Sequence, residues 1–291
     1  MQQVGKPIIA ILCRKDEKLT SVKSYAIYGM AQHWMEQGLE VKWLFGPTAK
    51  PVKADVLFMH VNLTVVPEQY IKYAEQYPLV INGRVTDIRK STVCDHLIAQ
   101  NDNYTGPVIV KTDLNAAGRP EERSRSKLRR HVQSWIKSIS ASSLEINSQN
   151  EYRIYQTAKD VPLKVFNDPR YVVQKMMAEQ EGNTYFVRNY SFLGDHHTCT
   201  RLSSKEPIIH LRSTESVEPI DADPRIIQIR HELGFDYGKL DYVVHNDQVV
   251  LLDANKTLGV RDRNETDATV LGQRQERANG IFSYLGMGVP E

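Results

Sequence analysis

The stretch GKLDYVVHNDQVVLLDANKTLG, Gly238–Gly259, decides how this chain is read. Leu240, Tyr242 and Val244 alternate with Lys239, Asp241 and Val243, the period-2 signature of a strand, and VVLLDAN is a second apolar run. The HNDQ between them is turn chemistry. The pair reads as a β-hairpin, yet its strands carry Asp241, Asp253 and Asn255, residue types that strands disfavour. With a three-residue loop, Asn246–Gln248, His245 faces Val249, Asp241 sits opposite Asp253, and Asn255 follows on the same face. A two-residue loop puts the aspartates on opposite faces, because a one-residue slip flips every side chain. Under the first register two like charges face each other across a sheet, which is destabilising unless a cation neutralises them. Carboxylate and amide oxygens suit Mg²⁺, which shares its shell with substrate phosphates. Taken alone, the hairpin reads equally well as a surface element with solvated acids.

The rest of the chain narrows the choice. Its 291 residues suit about two domains. Hydrophobic residues at 41% and charged residues at 25% are ordinary for a globular protein. A net charge of +2 gives no bias toward nucleic acid or an acidic membrane. Cys13, Cys94 and Cys199 are odd in number and form no CxxC pair, which argues against a disulfide scaffold or a cysteine zinc site. The run PIIAILC is too short for a signal segment, and no stretch is long and apolar enough to span a membrane. These features predict a cytoplasmic protein with no membrane partner, and they leave a homodimer open.

Before the hairpin, strand and helix patterns alternate. PIIAILC, LEVKWLF, ADVLFMH and PLVIN read as strands, with helices over SVKSYAIYGMAQHWMEQG and PEQYIKYAEQY between them, so the first 85 or so residues form a parallel α/β unit. No GxGxxG follows the first strand. TDIRKSTVCDHLIAQ reads as a helix capped by Thr86 or Asp87, PVIVK as a strand ending in Lys111, and TDLNAAG as a loop. RPEERSRSKLRRHVQSWIKSI puts Leu128, Val132, Trp135, Ile136 and Ile139 on one helical face with a basic face opposite. EYRIYQ, YVVQKMM and RNYSFLG read as strands, and ADPRIIQIRHELGF as a helix leading into the hairpin.

This order resembles the ATP-grasp superfamily, in particular D-alanine–D-alanine ligase, glutathione synthetase and the ribosomal-protein glutamate ligases. The resemblance covers most of residues 78–260. GKLDY and LLDANKTLG carry it most specifically, where the family has basic-x-Asp and acid-x-Asn before a small turn. It implies an α/β (α+β) fold: an N-terminal half-Rossmann-like pre-ATP-grasp domain over 1–85, a small lid subdomain over 86–172, and a C-terminal subdomain over 173–291, the last two clasping ATP.

Residue by residue, the resemblance makes Lys90 and Lys111 the two phosphate-contacting lysines, although Lys90 alone reads as a solvated surface charge. Gln174, Lys175, Met176 and Met177 match the segment beside the adenine. Glu179 and Glu181 are both candidates for the ribose hydroxyls. Arg188 and Arg201 face one cleft and are candidates for phosphate or catalytic contacts. Lys239 is placed beside the γ-phosphate, and Asp241, Asp253 and Asn255 hold Mg²⁺ or Mn²⁺. Lys256, Gly259 and Arg261 line the acceptor site.

The implied activity is an ADP-forming ligase joining a small-molecule acid to an amine through an acylphosphate. Kinase action on a hydroxyl and non-catalytic nucleotide binding are the alternatives; nucleic acid is not an expected partner. Two departures stand out. Asp253 occupies a position where the family commonly has Glu, and TDLNAAG holds a single glycine where a glycine-rich loop is usual. The basic run after it, through Arg130, is expected to act as a lid.

Overall fold

The computed structural model describes residues 5–124, 152–210, 212–260 and 268–290. Its N-terminal unit runs β1 (Ile8–Cys13), α1 (Leu19–Val22), α2 (Ala26–Glu36), β2 (Glu40–Phe45), β3 (Val56–His60), α3 (Glu68–Ala74) and β4 (Val80–Ile81). The four strands form a parallel sheet in the order β2-β1-β3-β4. Buried on both faces, β1 and β3 are almost uninterrupted apolar runs. Helix α2 lays Ile27, Met30, Ala31 and Trp34 against them at helical spacing. The chain then turns at Gly38, whose φ of 87° a side chain would resist.

The next unit runs α4 (Lys90–Val93), β5 (Val108–Thr112), α5 (Arg119–Ser124), β6 (Tyr152–Tyr155), α6 (Leu163–Phe166) and β7 (Tyr171–Lys175). Its antiparallel sheet has the order β6-β5-β7, and the expected 172/173 boundary falls inside β7. The helix expected over 86–100 is reduced to the single turn α4. Beyond it, residues 96–98 run extended along the edge of β7: the Ile98 N–H donates to the Val173 carbonyl (2.8 Å), and Lys175 N–H donates to His96 (3.0 Å). The open edge of β7 offers the backbone of residues 96–98 strand partners that compete with continued helix. Of the expected basic helix, α5 is described; residues 125–130 of the expected lid lie outside the described residues.

The third unit runs β8 (Glu179–Glu181), β9 (Thr184–Leu193), β10 (His196–Ser204), β11 (Ser216–Ile220), α7 (Pro224–Glu232), β12 (Tyr237–His245) and β13 (Gln248–Asn255). The sheet is antiparallel in the order β11-β10-β9-β12-β13, with β8 also on β9. Helix α7 starts with Pro224 after Asp223, which caps the Arg225 N–H, and packs Ile226 against Tyr190, Phe192, Leu240 and Tyr242. Two closing helices, α8 (Ala268–Asn279) and α9 (Ile281–Tyr284), return to the N-terminal unit. Ala278, Ile281 and Phe282 join its core with Leu193 and Tyr237, and Trp34 Nε1 donates to the Ala278 carbonyl (2.8 Å). The first and third units are therefore locked by a shared core. One parallel and two antiparallel sheets make the mixed α/β class expected from the sequence. Among the described residues no helix is long and apolar enough to cross a membrane.

Candidate active site

The hairpin turn differs from expectation. Asn246 and Asp247, with φ of 49° and 59°, form a two-residue turn, and His245 pairs with Gln248. Asn and Asp tolerate this left-handed geometry, whose twist matches that of the strands. On that register the two aspartates would fall on opposite faces. They do not, because the ladder slips between Tyr242 and Asp241: Tyr242 faces Leu251, Asp241 faces Asp253, and Lys239 faces Asn255. Leu252 is the extra residue of a β-bulge. The juxtaposition expected from the sequence is thus present for a different reason. Deleting Leu252 is expected to leave Asp253 opposite Asp241, and inserting one residue beside it should throw Asp253 to the other face. Cross-strand nuclear Overhauser contacts in the two variants check this, and the same Asp241–Asp253 pairing in both would refute it. Gly238 also shapes this corner, since a Cβ there would stand 2.5 Å from the Asn255 carbonyl oxygen.

Asp241 accepts a hydrogen bond from the Asn189 amide and lies 2.9 Å from Lys239 Nζ. Burial pushes its pKa up; Lys239 opposes the rise and Asp253 adds to it. Asp253 Oδ1 is 3.3 Å from Lys90 Nζ, yet it is buried without a hydrogen bond, while Oδ2 receives the Asn255 amide at 3.4 Å. A carboxylate oxygen that faces a second carboxylate and makes an ion pair but no hydrogen bond, with an amide oxygen beside it, belongs to a donor set that fits a hard divalent cation. Among the described residues no three His, Cys, Asp or Glu side chains gather as a metal nest. The set here is two carboxylates and one amide, which leaves the remaining coordination to phosphate oxygens and water.

Lys90 is not the solvated charge it reads as in isolation. It is 2% exposed and sits between Asp253 and the Asn115 Oδ1 (3.2 Å). Helix α4 is set there by Asp113, which accepts from the Ser91 N–H (2.8 Å) and hydroxyl (2.9 Å). Lys111, delivered by β5, is also buried, and burial pulls its pKa down to about 8. Lys90 depresses it further, and the charges of Asp253 and Asp241 work against that. Two buried lysines and two half-buried carboxylates thus share one locality.

Asn115 is a residue that sequence reasoning passed over within TDLNAAG. Its amide donates to the Ala254 carbonyl (2.6 Å) and lies 3.4 Å from the Asn255 Oδ1, so it links Lys90 to the hairpin. Asn189 was likewise missed; its signal is an Asn on a strand, the same anomaly that marks Asn255. After Asn115, Ala116 and Ala117 hold φ of 48° and 53° before Gly118 at 72°. Left-handed alanines cost about 1–2 kcal/mol each, so strain is stored in this loop.

The remaining predicted residues divide into groups. Arg188 and Arg201 pair across β9 and β10 and do face one cleft, where both grip Glu179. The Val244 N–H adds a third donor to Glu179 at 2.9 Å. Burial works to raise the Glu179 pKa; Arg188, Val244 and Arg201 outweigh it and hold the carboxyl below its usual range. Glu181 pairs with Arg201 and stays mostly exposed. These groups border a cavity of about 450 Å³ that also meets Ala178, His245 and Asn246. Gln174 is buried, Met176 and Met177 are half-buried, and Lys175 lies over the Tyr104 ring. Gly259 pairs with Tyr25 of the N-terminal unit. Lys256 is 2% exposed, with its pKa pulled down to about 7 by burial. Arg261 lies outside the described residues.

No family model matches the chain, and no curated protein matches it. Solved structures do resemble it. A RimK domain protein ATP-grasp from Sphaerobacter thermophilus superposes with a TM-score of 0.47 at 11% identity, over 94% of this chain and 98% of that one. The macrocyclase MdnB from Microcystis aeruginosa superposes with a TM-score of 0.41 at 11% identity, over 86% and 91%.

Proposed function

We propose that the protein is an ATP- and Mg²⁺-dependent carboxylate–amine ligase that forms ADP. The observation that carries this reading is the meeting of buried Lys90 and Lys111 with half-buried Asp241, Asp253 and Asn255 at one place. Phosphoryl transfer asks a protein mainly to position phosphate groups and neutralise their charge. Lys90 and Lys111 supply fixed positive charge at a site where burial strengthens it. Asp241, Asp253 and Asn255 would hold the cation, which when bound supplies Lewis-acid charge neutralisation at the phosphates. Lys239, tied to Asp241, adds a further cation. The cavity beside Glu179 and Glu181 is a candidate seat for the nucleoside.

In this reading a substrate carboxylate oxygen attacks the γ-phosphorus and ADP leaves. The amine nitrogen then attacks the acyl carbon, phosphate leaves with the electron pair of the broken C–O bond, and the nitrogen loses a proton. No protein nucleophile is needed. The three cysteines agree with that: all are buried, and burial raises every thiol pKa, that of Cys94 to about 11 despite the nearby Lys111. A thiol that stays protonated is a poor nucleophile.

The test is product analysis with ATP, Mg²⁺ and pooled acids and amines. ADP and free phosphate in equal amounts, with a hydroxamate formed when hydroxylamine replaces the amine, are the expected products. ADP with a stable phosphorylated product and no free phosphate would make the protein a kinase.

A further inference from the structure

A second cavity, of about 300 Å³, opens where the N-terminal unit meets the third unit and the closing helices. Arg84 borders it just after β4, Gly194 in the turn between β9 and β10, Arg230 and Phe235 at the end of α7 and just beyond it, and Tyr284 on α9. The volume is at the small end for a ligand site. None of the lysines, carboxylates or amides of the proposed active site lines it.

Arg230 forms its buried wall. The residue is only 3% exposed, yet it lines the cavity. A guanidinium carries five N–H donors. Nε donates to the Phe235 carbonyl (3.1 Å) and Nη1 to the Tyr190 hydroxyl (3.3 Å), with the Phe192 ring 4.7 Å from the group. These contacts fix its plane, and both hydrogen-bond acceptors are neutral. Among the described residues Nη2 makes no hydrogen bond and no carboxylate forms an ion pair with Arg230. A buried guanidinium without an anion is costly, and here the missing partner has a space to occupy.

The rest of the lining sets the kind of occupant. Asp236 has both carboxylate oxygens engaged, Oδ2 by the Asn82 N–H (2.7 Å) and Oδ1 by the Tyr284 hydroxyl (3.3 Å). Asp195 is exposed at the rim. Arg84 is exposed too, and it lies across Gly234: a Cβ there would stand 3.4 Å from Arg84 Nε. Gly234, at the end of α7, has φ of 73°, a geometry that favours glycine. Phe235 is buried, and the Tyr284 ring packs on Gly194, where a Cβ would stand 3.1 Å from it. The cavity therefore offers unused cationic donors beside aromatic wall.

We infer that this cavity binds a small organic oxyanion, a carboxylate or a phosphate monoester, with its charged end on Arg230 and Arg84 and its apolar part against Phe235 and Tyr284. Arginine suits either oxyanion. The site is separate from the lysine–carboxylate cluster, so it stands whether or not the protein is a ligase.

The test is a titration of the isotope-labelled full chain, followed by its amide resonances. Phenyl phosphate and benzoate are the oxyanion probes, and benzyl alcohol is the neutral control. At least one oxyanion should move the amides of Gly194, Gly234 and Phe235 saturably, and benzyl alcohol should not. The tighter of the two identifies the charged end as phosphate or carboxylate. Arg84→Ala should weaken that binding about fivefold or more, the scale of one charge-assisted contact near the surface. Arg230→Met should abolish it; if that variant does not fold, Arg84→Ala decides alone. The inference is overturned if neither oxyanion moves these amides, or if the shifts fall only at the lysine–carboxylate cluster, on amides such as those of Lys111 and Ala254. It is overturned equally if benzyl alcohol binds as well as the oxyanions, or if Arg84→Ala binds with unchanged affinity.

Discussion

Replacing Asp253 by Asn together with Asn255 by Ala should lower kcat for ATP turnover about a thousandfold or more while leaving the fold intact. Loss of a catalytic metal or of charge stabilisation at a transferring phosphoryl group has effects on this scale. The fold should survive because Asn keeps the shape of Asp253 and removes one of two like charges that face each other across β12 and β13. Lys90 keeps its contact with Asn115. Turnover at saturating Mg²⁺ and ATP, measured beside near-ultraviolet circular dichroism, checks both halves. A folded double variant with full activity would remove the metal assignment.

Lys111→Met should move activity and stability in opposite directions. Met fills a similar space without a charge, and the lowered pKa of Lys111 shows that burial costs its charge more than the nearby acids return, so the variant should be more stable at pH 7. Its kcat/KM for ATP should fall by about two to three orders of magnitude. A pH series sharpens the point. The folded pKa of about 8 lies below the unfolded value of 10.5. Between these values the unfolded chain binds more protons than the folded one, so the Lys111 contribution to stability rises with pH across that window. Urea unfolding of wild type and variant from pH 7 to 10.5 should show the stability gap closing as pH rises. A constant gap would mean that Lys111 is charged in the fold at little cost.

Much of this site was legible because strands seldom carry Asp or Asn. Asp241, Asp253 and Asn255 broke the pattern of an apolar hairpin, and the structure gathers them on one face. The route to that face was not legible. A bulge at Leu252 is a one-residue slip inside a uniform run of Val and Leu, and nothing in VVLL marks which residue is extra. The turn was misjudged for a related reason: Asn246 and Asp247 suit both two- and three-residue loops. Lys90 was ambiguous because burial of a lysine depends on partners distant in sequence, here Asp253 and Asn115. The short α4 was read as a long helix because the pull of the β7 edge on residues 96–98 is a tertiary effect. The return of α8 and α9 to the N-terminal core depends likewise on contacts such as Trp34 with Ala278, whose partners lie far apart in the chain.

Calorimetric titration of the protein with a non-hydrolysable ATP analogue, in Mg²⁺ and again in EDTA, tests the central claim most directly. If Lys90, Lys111, Asp241, Asp253 and Asn255 form a nucleotide–metal site, the analogue binds in Mg²⁺, binds at least about tenfold more weakly in EDTA, and loses its Mg²⁺ dependence in the Asp253→Asn, Asn255→Ala variant. Binding of equal strength in Mg²⁺ and EDTA, or no binding in either, would contradict it.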